Sequence, residues 1–423
     1  MLLAVGTIII LGAIYFIVKQ HETRLVLFCA GLAMATVAGD PLAAFKAFTS
    51  AIGHRNLFEP IVTVMGFSVV MTVTECNKHL IHLLAKGVKR MGFFLIPSVT
   101  LATFFVNISL TSTAGISAAV GAIFIPLLIA FGVHPAVAGA AILAGTYGSF
   151  LNPGYPMNVI VADVSKLGPL EVVAFQYVAV IASCLVSGLV LALIAFLRKE
   201  HKGYVREDGS TGAFDDTFKV SLMKAFVPIF PLVLILLSNL KIIPGMPRLS
   251  ISHSMIIGIM VAYLVTRQSP GKISKEFFRG FGDAFGHIFG IIICALVFVS
   301  GMQTIGLISA LTKAMISYPA VAKLSAMYGP FFVAVMSGSG EAASVAFNKA
   351  VTINAAQFGV SPVAMGSVSS LAGAFGRAMS PLAGGVIICA AYGGVSPLEV
   401  AKRSAPGMFI ACTLTGVLLL YMK

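Results

Sequence analysis

The amino-acid sequence predicts an all-α polytopic membrane protein made of two inverted repeats, with about ten transmembrane helices, two re-entrant helical hairpins and discontinuous helices at the bilayer midplane. Three observations predict this fold class. Of the 423 residues, 58% are hydrophobic and 10% are charged, which is more apolar surface than a soluble core can bury. Apolar runs long enough to cross roughly 30 Å of hydrocarbon recur along the chain. The two halves also share motifs, as the halves of many carriers do.

The apolar runs are the first elements to place. Residues 1–18 have no basic region ahead of the apolar run and no small-residue cleavage pattern before Lys19, so they are expected to form a first span rather than a signal peptide. The six cysteines lie in or beside apolar segments without CxxC spacing, so neither a metal site nor a disulfide framework is indicated. Runs of spanning length cover about residues 2–18, 25–41, 57–75, 171–197, 222–240, 250–266, 284–302 and 397–421.

The internal repeat gives the order of the remaining elements. Residues 143–153 (LAGTYGSFLNP) match residues 371–381 (LAGAFGRAMSP), and three shorter pairs keep nearly the same offset. The interrupted segments at 93–131 and 318–358 could each enter and leave the membrane on the same side. Each half would then cross the membrane five times. Because five is an odd number, the second copy would have the opposite orientation in the membrane to the first. The shorter pairs are FGVHP (131–135) with FGVSP (358–362), GPLEV (168–172) with SPLEV (396–400), and AFKAFTSAIGH (44–54) with FFRGFGDAFGH (277–287).

Loop charges predict the orientation. Eighteen Lys and Arg residues fall in loops on one predicted side and eight on the other, so the richer side is expected to be cytoplasmic and both termini periplasmic. The formal charge of +13 is spread over these short loops, which indicates topology determinants rather than binding to nucleic acid. We therefore expect a multi-pass protein of the bacterial inner membrane.

Four interruptions of the apolar helices are the candidate functional sites. Irregular backbone at membrane depth is tolerated where it is buried in protein or lines a watery cavity. Free amides at half-helix N-termini, with hydroxyls and amides beside them, suit an anionic group, and carbonyl and hydroxyl oxygens suit a small cation. Close helix packing is the structural alternative for any single Ser or Gly. The interruptions are NISLTSTAG (107–115), GTYGSFLNPG (145–154), SGSGE (337–341) and GAFGRAMSPLAGG (373–385).

Arg377 is the most informative residue because an Arg inside a broken intramembrane segment is expensive and is retained for a ligand or a partner. Its counterpart in the first copy is Ser149, and Glu341 has Ala114 as its counterpart. Arg377 is expected to hold a substrate carboxylate, with a structural ion pair to Glu341 as the alternative. The two interpretations are compatible if they apply at different stages. Glu341 would pair with Arg377 in the empty protein and would then be displaced by substrate or take a coupling proton.

The other ionisable groups receive structural interpretations. Lys349 is expected to snorkel towards an interface, and Asp40 and Asp163 to be solvated or to cap helices. His54 and His287 follow equivalent amphipathic segments, so an interfacial structural role is favoured over pH sensing.

With these motifs, the chain resembles the elevator-type carriers of the ion transporter superfamily, and more closely the anaerobic C4-dicarboxylate carriers of the DcuC type. The resemblance implies a homodimer with a fixed scaffold and a moving transport domain. It also implies hairpin-tip residues that contact substrate. Neither tip has the Ser-Asn-Thr triplet of sodium-coupled relatives, which favours proton coupling or exchange. The implied tip residues are Asn107, Ser109, Thr111, Ser112, Thr113, Ser337, Ser339 and Glu341.

The resemblance also divides the chain into parts. Residues 1–200 form the first repeat and residues 222–423 the second, joined by a cytoplasmic linker at 198–221. Within the first repeat, 1–91 are scaffold and arm, 92–170 the hairpin and broken helix, and 171–197 the last span. The corresponding parts of the second repeat are 222–317, 318–395 and 396–423.

The function expected from the resemblance is secondary active transport of C4-dicarboxylates such as fumarate, succinate and malate. Transport would be proton-coupled or would occur by exchange, without a cofactor, through an elevator mechanism. Arg377, Ser149, Asn152, Ser380 and the hairpin tips would bind substrate, and Glu341 would serve coupling. The alternatives are another small anion or amino acid (gluconate, citrate or a basic amino acid), possible sodium coupling, and a channel. A membrane enzyme is disfavoured because the sequence shows neither an intramembrane His/Asp/Ser set nor HExxH spacing.

Overall fold

The computed structural model describes residues 2–19, 21–52, 55–88, 94–204, 218–239, 246–310 and 317–422. Within these ranges every regular element is a helix, which confirms the all-α prediction. His54 lies outside the described residues, as does the side chain of His287, so their predicted interfacial role stays a prediction. The same holds for the middle of the linker predicted at 198–221.

Five helices precede the first hairpin. Helix α4 ends at Val73, and helix α5 leaves it at a bend of 70° after Glu75, whose φ is +60°. The apolar run predicted at 57–75 therefore ends in a sharp corner. The five helices are α1 (Leu2–Val18), α2 (Thr23–Val37), α3 (Pro41–Ile52), α4 (Arg55–Val73) and α5 (Cys76–Val88).

The next helices form a hairpin, a broken helix and a long span. Proline occupies the first turn of α8, α9 and α10, where its missing N–H costs nothing and its fixed φ favours helix entry. A short 3-10 turn at Gly148–Leu151 lies inside the break between α8 and α9. The helices are α6 (Leu95–Ser109), α7 (Thr113–Ala130), α8 (Pro135–Leu143), α9 (Pro156–Ser165) and α10 (Pro169–Leu197).

The first helices of the second half differ from the prediction. The run predicted as one span at 222–240 is two helices, α11 (Leu222–Phe226) and α12 (Phe230–Asn239). Pro228 lies in the turn between them and has no N–H to continue a helix. A π-helical turn at Ala284–Phe289 separates the last two of the three helices that follow, α13 (Ile251–Thr266), α14 (Pro270–Asp283) and α15 (Gly290–Thr304).

The final helices again form a hairpin, a broken helix and a span. The break predicted over 373–385 is shorter than expected, because the helix continues through Arg377 to Ala378 and the next begins at Gly384. A 3-10 helix at Thr352–Phe358 follows the hairpin. The helices are α16 (Pro319–Ser337), α17 (Gly340–Ala350), α18 (Pro362–Ala378), α19 (Gly384–Gly393) and α20 (Pro397–Leu420).

The long apolar helices make the chain a multi-pass integral membrane protein. Among the described residues, five helices are long and apolar enough to cross a bilayer, or six if the bent pair α4 and α5 is one span. The five cover Thr113–Ala130, Pro169–Leu197, Pro270–Thr304, Ala320–Ser337 and Pro397–Leu420.

The two hairpins and the two broken helices pack into one body. Helix α10 lies along α20, and α16 lies along α18. The hydroxyls of Ser183 and Thr415 lie 2.7 Å apart across the α10 and α20 contact, and the Tyr147 and Phe375 rings meet edge to face at 4.8 Å between their centroids. This packing brings the helix breaks of both halves together at the centre of the body.

Candidate functional site

Four helices begin at one cavity of about 720 Å³. The N-termini of α7, α9, α17 and α19 lie in its wall, marked by Thr113, Pro156, Glu341 and Gly384. The first turn of a helix exposes unpaired N–H groups and carries partial positive charge, so each of these ends favours an anion. Four such ends around one cavity form an electropositive wall.

Six of the predicted substrate and coupling residues line this cavity. Two of them, Ser112 and Ser339, are N-caps, because their hydroxyls accept hydrogen bonds from the amides of Gly115 at 3.2 Å and Ala342 at 3.3 Å. They hold the hairpin tips in shape while facing the cavity. The six are Thr111, Ser112, Thr113, Ser339, Glu341 and Arg377.

Asn107, Ser109 and Asn152, which were expected to contact substrate, do not line the cavity. The Asn107 amide donates to the Leu110 carbonyl at 2.8 Å and accepts from the Ser149 amide at 2.9 Å. The Asn152 side chain donates to the carbonyl of Ile108 at 2.9 Å. The Ser109 hydroxyl donates to the carbonyl of Val106 at 3.1 Å. These side chains satisfy the backbone groups that the helix break frees.

Two further polar side chains complete the first break. Asn158 donates to the carbonyls of Phe150 at 2.9 Å and Asn152 at 2.8 Å, and Gln176 donates to the Phe150 carbonyl at 3.0 Å. Sequence reasoning missed both residues, because each lies within a helix beyond the break it supports.

Ser337 and Ser380 play the same part in the second half. The Ser380 hydroxyl donates to the Val335 carbonyl at 2.7 Å, and the Ser337 hydroxyl accepts from the Ser339 amide at 3.2 Å. Neither lines the cavity. Both hydroxyls therefore bind backbone groups at the break, and the substrate contact expected from sequence stays a prediction.

Arg377 pairs with Glu341 at the cavity wall. An Arg377 Nη1 to Glu341 Oε1 contact joins them, and Arg377 Nη2 lies 3.5 Å from the Thr146 carbonyl oxygen. Arg377 is only 5% exposed, whereas the Glu341 side chain is 26% exposed. Both side chains line the cavity, and the carboxylate is the more exposed of the two.

Two buried polar atoms of residues in the cavity wall, Arg377 Nε and Thr113 Oγ1, have no hydrogen-bond partner among the described residues. A buried polar group without a partner costs free energy, so both atoms would gain from a polar ligand in the cavity. Ser149 is buried behind the wall rather than in it.

Tyr155 is a cavity residue that sequence reasoning missed. It lies at the N-terminus of α9, one residue past the interruption at 145–154, and interacts electrostatically with Glu341 and Arg377. Gly385, at the end of the interruption predicted over 373–385, also lines the cavity. A Cβ on Gly385 would lie 2.9 Å from the Ser117 hydroxyl, so glycine lets the N-terminus of α19 pack closely against α7.

The outer wall of the cavity is supplied by other helices. Met65, Ser68 and Thr72 of α4 face the hairpin tips, and Arg24 and Arg279 lie in the wall with Glu22 and Asp283. The cavity is therefore bounded by the body of broken helices on one side and by α2, α4 and α14 on the other.

Lys349 does not snorkel, and Asp163 is not a solvated cap. The Lys349 Nζ lies 2.6 Å from the Asp163 carboxylate, with side-chain exposures of 5% and 20%. The pair joins α17 of the second half to α9 of the first. Neither residue lines the cavity.

A multi-pass membrane protein in which broken helices direct their N-termini into one polar cavity has the architecture of a secondary transporter. The chain belongs to the DcuC family, described as the C4-dicarboxylate anaerobic carriers, whose model matches residues 52–423. The members of this family are transporters and not enzymes.

Individual relatives agree with this assignment. The chain is 23% identical over 448 residues to the anaerobic C4-dicarboxylate transporter DcuC of Escherichia coli K12, a match that covers 98% of this chain and 95% of that protein. It is 32% identical over 278 residues to an uncharacterized transporter of Haemophilus influenzae, a match that covers 64% of this chain and 100% of that protein.

Two solved structures share the fold. One is MtrF of Neisseria gonorrhoeae, from a class of antimetabolite efflux pumps, with a TM-score of 0.66, 13% identity, and coverage of 89% of this chain and 83% of that chain. The other is the YdaH transporter of Alcanivorax borkumensis, with a TM-score of 0.61, 15% identity, and coverage of 88% and 86%.

Proposed function

We propose that this protein is a secondary active transporter of C4-dicarboxylates such as succinate, fumarate and malate across the bacterial inner membrane. The observation that carries the proposal is the convergence of four helix N-termini and Arg377 on one cavity. A dicarboxylate has two anionic ends, and the cavity has two kinds of anion partner, the planar guanidinium and the helix ends. Relatives named as C4-dicarboxylate transporters support the substrate class.

One substrate carboxylate would take the place that the Glu341 carboxylate holds on Arg377. The second would lie against the N-termini of α7 and α19, where the Thr113 hydroxyl has no hydrogen-bond partner among the described residues. Substrate binding then releases Glu341, which takes a proton. Binding of the anion and binding of a proton are thereby coupled at one residue.

The transport cycle would be an elevator movement. The body of hairpins and broken helices, residues 92–170 and 318–395, would carry the cavity past a fixed scaffold formed by residues 1–91 and 222–317 of two copies. The two inverted repeats would supply the two matched hairpins, and five crossings per half would place both termini in the periplasm. Arg24 and Arg279 are among the eighteen Lys and Arg residues on the side that the loop charges predict to be cytoplasmic. Both lie in the cavity wall, which supports an inward-facing state.

The test is counterflow in proteoliposomes. Vesicles loaded with unlabelled fumarate should accumulate labelled succinate transiently and saturably, and a panel of gluconate, citrate and lysine should not compete. Flux that does not saturate would instead indicate a channel. If labelled succinate uptake were blocked by gluconate, citrate or lysine but not by C4-dicarboxylates, the substrate would belong to that other class. Cysteine labelling of residues added at each terminus, from the outside of intact cells, checks the orientation.

A further inference from the structure

A second ion pair lies in the same body as the cavity, apart from the substrate-facing charges. Within 92–170 and 318–395, the acidic residues are Asp163 and Glu341. Each is paired with a base, Glu341 with Arg377 and Asp163 with Lys349. The body therefore brings two carboxylates to positions where fixed cations neutralise them.

The second pair has no counterpart at the symmetry-related positions of the chain. At the offsets that match Ser149 with Arg377 and Ala114 with Glu341, Asp163 corresponds to Ala391 and Lys349 to Ala122. Asp163 belongs to the first copy and Lys349 to the second, so this pair joins the two copies, whereas Arg377 and Glu341 both belong to the second copy.

The pair lies on two helices that reach the cavity, although neither residue lines it. Helices α9 and α17, which carry Asp163 and Lys349, both have their N-termini in the cavity wall. Beside Lys349, Asn348 accepts from the hydroxyls of Ser369 at 2.9 Å and Thr352 at 2.8 Å. The Asp163 side chain is 20% exposed, so protein does not enclose its carboxylate completely.

The charge balance gives the pair a role. With both pairs ionised, the four buried charges sum to zero, so a dicarboxylate dianion would leave the loaded body with two uncompensated negative charges. Uncompensated charge is expensive to carry through a bilayer. Two protons cancel the charge of the dianion, and the body has two carboxylates to accept them.

We infer that Asp163, held by Lys349, is a second proton-binding site and that each dianion is carried with two protons, one on Glu341 and one on Asp163. This inference rests on the proposed function. A hydronium ion transfers its proton to an Asp163 carboxylate oxygen, an O–H bond forms and water leaves; the reverse step occurs on the other side. Lys349 keeps its three protons throughout. The other charged side chains on helices packed against the pair are Glu59, Glu171, Lys323, Glu341 and Arg377.

The test measures accumulation and counterflow in the same proteoliposomes. With the membrane potential clamped at zero and a pH gradient of one unit, each coupled proton gives about tenfold accumulation. Wild type should therefore accumulate labelled succinate about 100-fold, and D163N about tenfold. Both should catalyse succinate counterflow at equal pH. Glu171, exposed at the start of α10, provides the matched control E171Q, which should behave as wild type.

The double variant D163N/K349Q separates coupling from folding, because it leaves no unpaired buried charge. We expect it to fold, to catalyse counterflow and to accumulate succinate about tenfold. Accumulation of about 100-fold by D163N or by the double variant would overturn the inference, as would a double variant that cannot be obtained folded. Absence of succinate counterflow in wild type would instead refute the proposed function itself.

Discussion

The guanidinium of Arg377 and the carboxylate of Glu341 face each other at the wall of a cavity into which four helices direct their N-termini. The pair holds a carboxylate where a substrate carboxylate would bind. In the empty protein, Glu341 therefore stabilises the buried Arg377. Under the proposed function, it would also compete with a substrate carboxylate for the Arg377 guanidinium.

Replacing Glu341 by Gln should remove this competition. We expect E341Q to bind succinate about tenfold more tightly at neutral pH. The reason is that the substrate carboxylate no longer has to displace the charge-assisted hydrogen bond between Glu341 and Arg377. The KM values of wild type and E341Q for succinate counterflow, compared at neutral pH in the same kind of proteoliposome, measure this difference. A KM of E341Q equal to or above that of wild type would contradict the competition.

Gly340 sets the distance between the two partners. A Cβ at this position would lie 2.5 Å from the backbone oxygen of Gly373, so G340A must push α17 away from α18. Overpacking of this kind costs about 1–3 kcal/mol, and we expect a lower Tm together with weaker succinate transport. The matched control is G282A in α14, where nothing lies within 4 Å of the added Cβ. Equal thermal stability of the two variants in detergent would contradict the close contact.

Asn107 should support the fold of the site rather than bind substrate. N107A leaves the Ser149 amide and the Leu110 carbonyl without their buried partner, at a cost of about 1–3 kcal/mol each. Thermal stability should therefore fall together with transport. N107D keeps the acceptor but loses the donor, and should lie between wild type and N107A in Tm. Loss of succinate affinity with unchanged Tm would show that Asn107 contacts substrate after all.

His134, which lies at the end of the molecule away from the cavity, should make the stability of the protein depend on pH. Its Nδ1 accepts a hydrogen bond from the Ala136 amide at 3.2 Å and caps α8, and burial lowers the pKa of His134. The folded protein thus binds this proton less readily than the unfolded chain, so stability should fall as pH decreases through about 6.5, the unfolded value. H134N keeps a capping side chain that does not titrate. The difference in Tm between pH 7.5 and pH 5.5 should be smaller in H134N than in wild type.

The helix breaks were predictable from sequence because Gly, Pro, Ser and Asn cluster where a membrane helix cannot continue. Such clusters predict the first break and the two hairpin tips. The positions where the two copies differ indicate the pairing of Arg377 with Glu341. The extent of the second break was overestimated. Gly373 and Gly376 permit close helix packing there instead of ending the helix.

The directions of the side chains were not predictable. Asn107, Asn152 and Ser380 have the chemistry of ligands, but the carbonyls freed by the break compete for the same donors, and only the folded geometry decides between them. Lys349 was misread because its partner Asp163 is distant in sequence, on a helix of the other half. Tyr155 was missed because it belongs to no duplicated motif.

The central claim is that Arg377 and the surrounding helix ends bind a substrate carboxylate, and counterflow of labelled succinate by R377K tests it most directly. Lysine keeps the charge but loses the planar fork of donors, which is worth about 2–3 kcal/mol in such a pair. We predict that KM rises by about 30- to 140-fold, while the Tm of the purified protein stays close to that of wild type. Counterflow with near-normal KM in folded R377K would contradict the account.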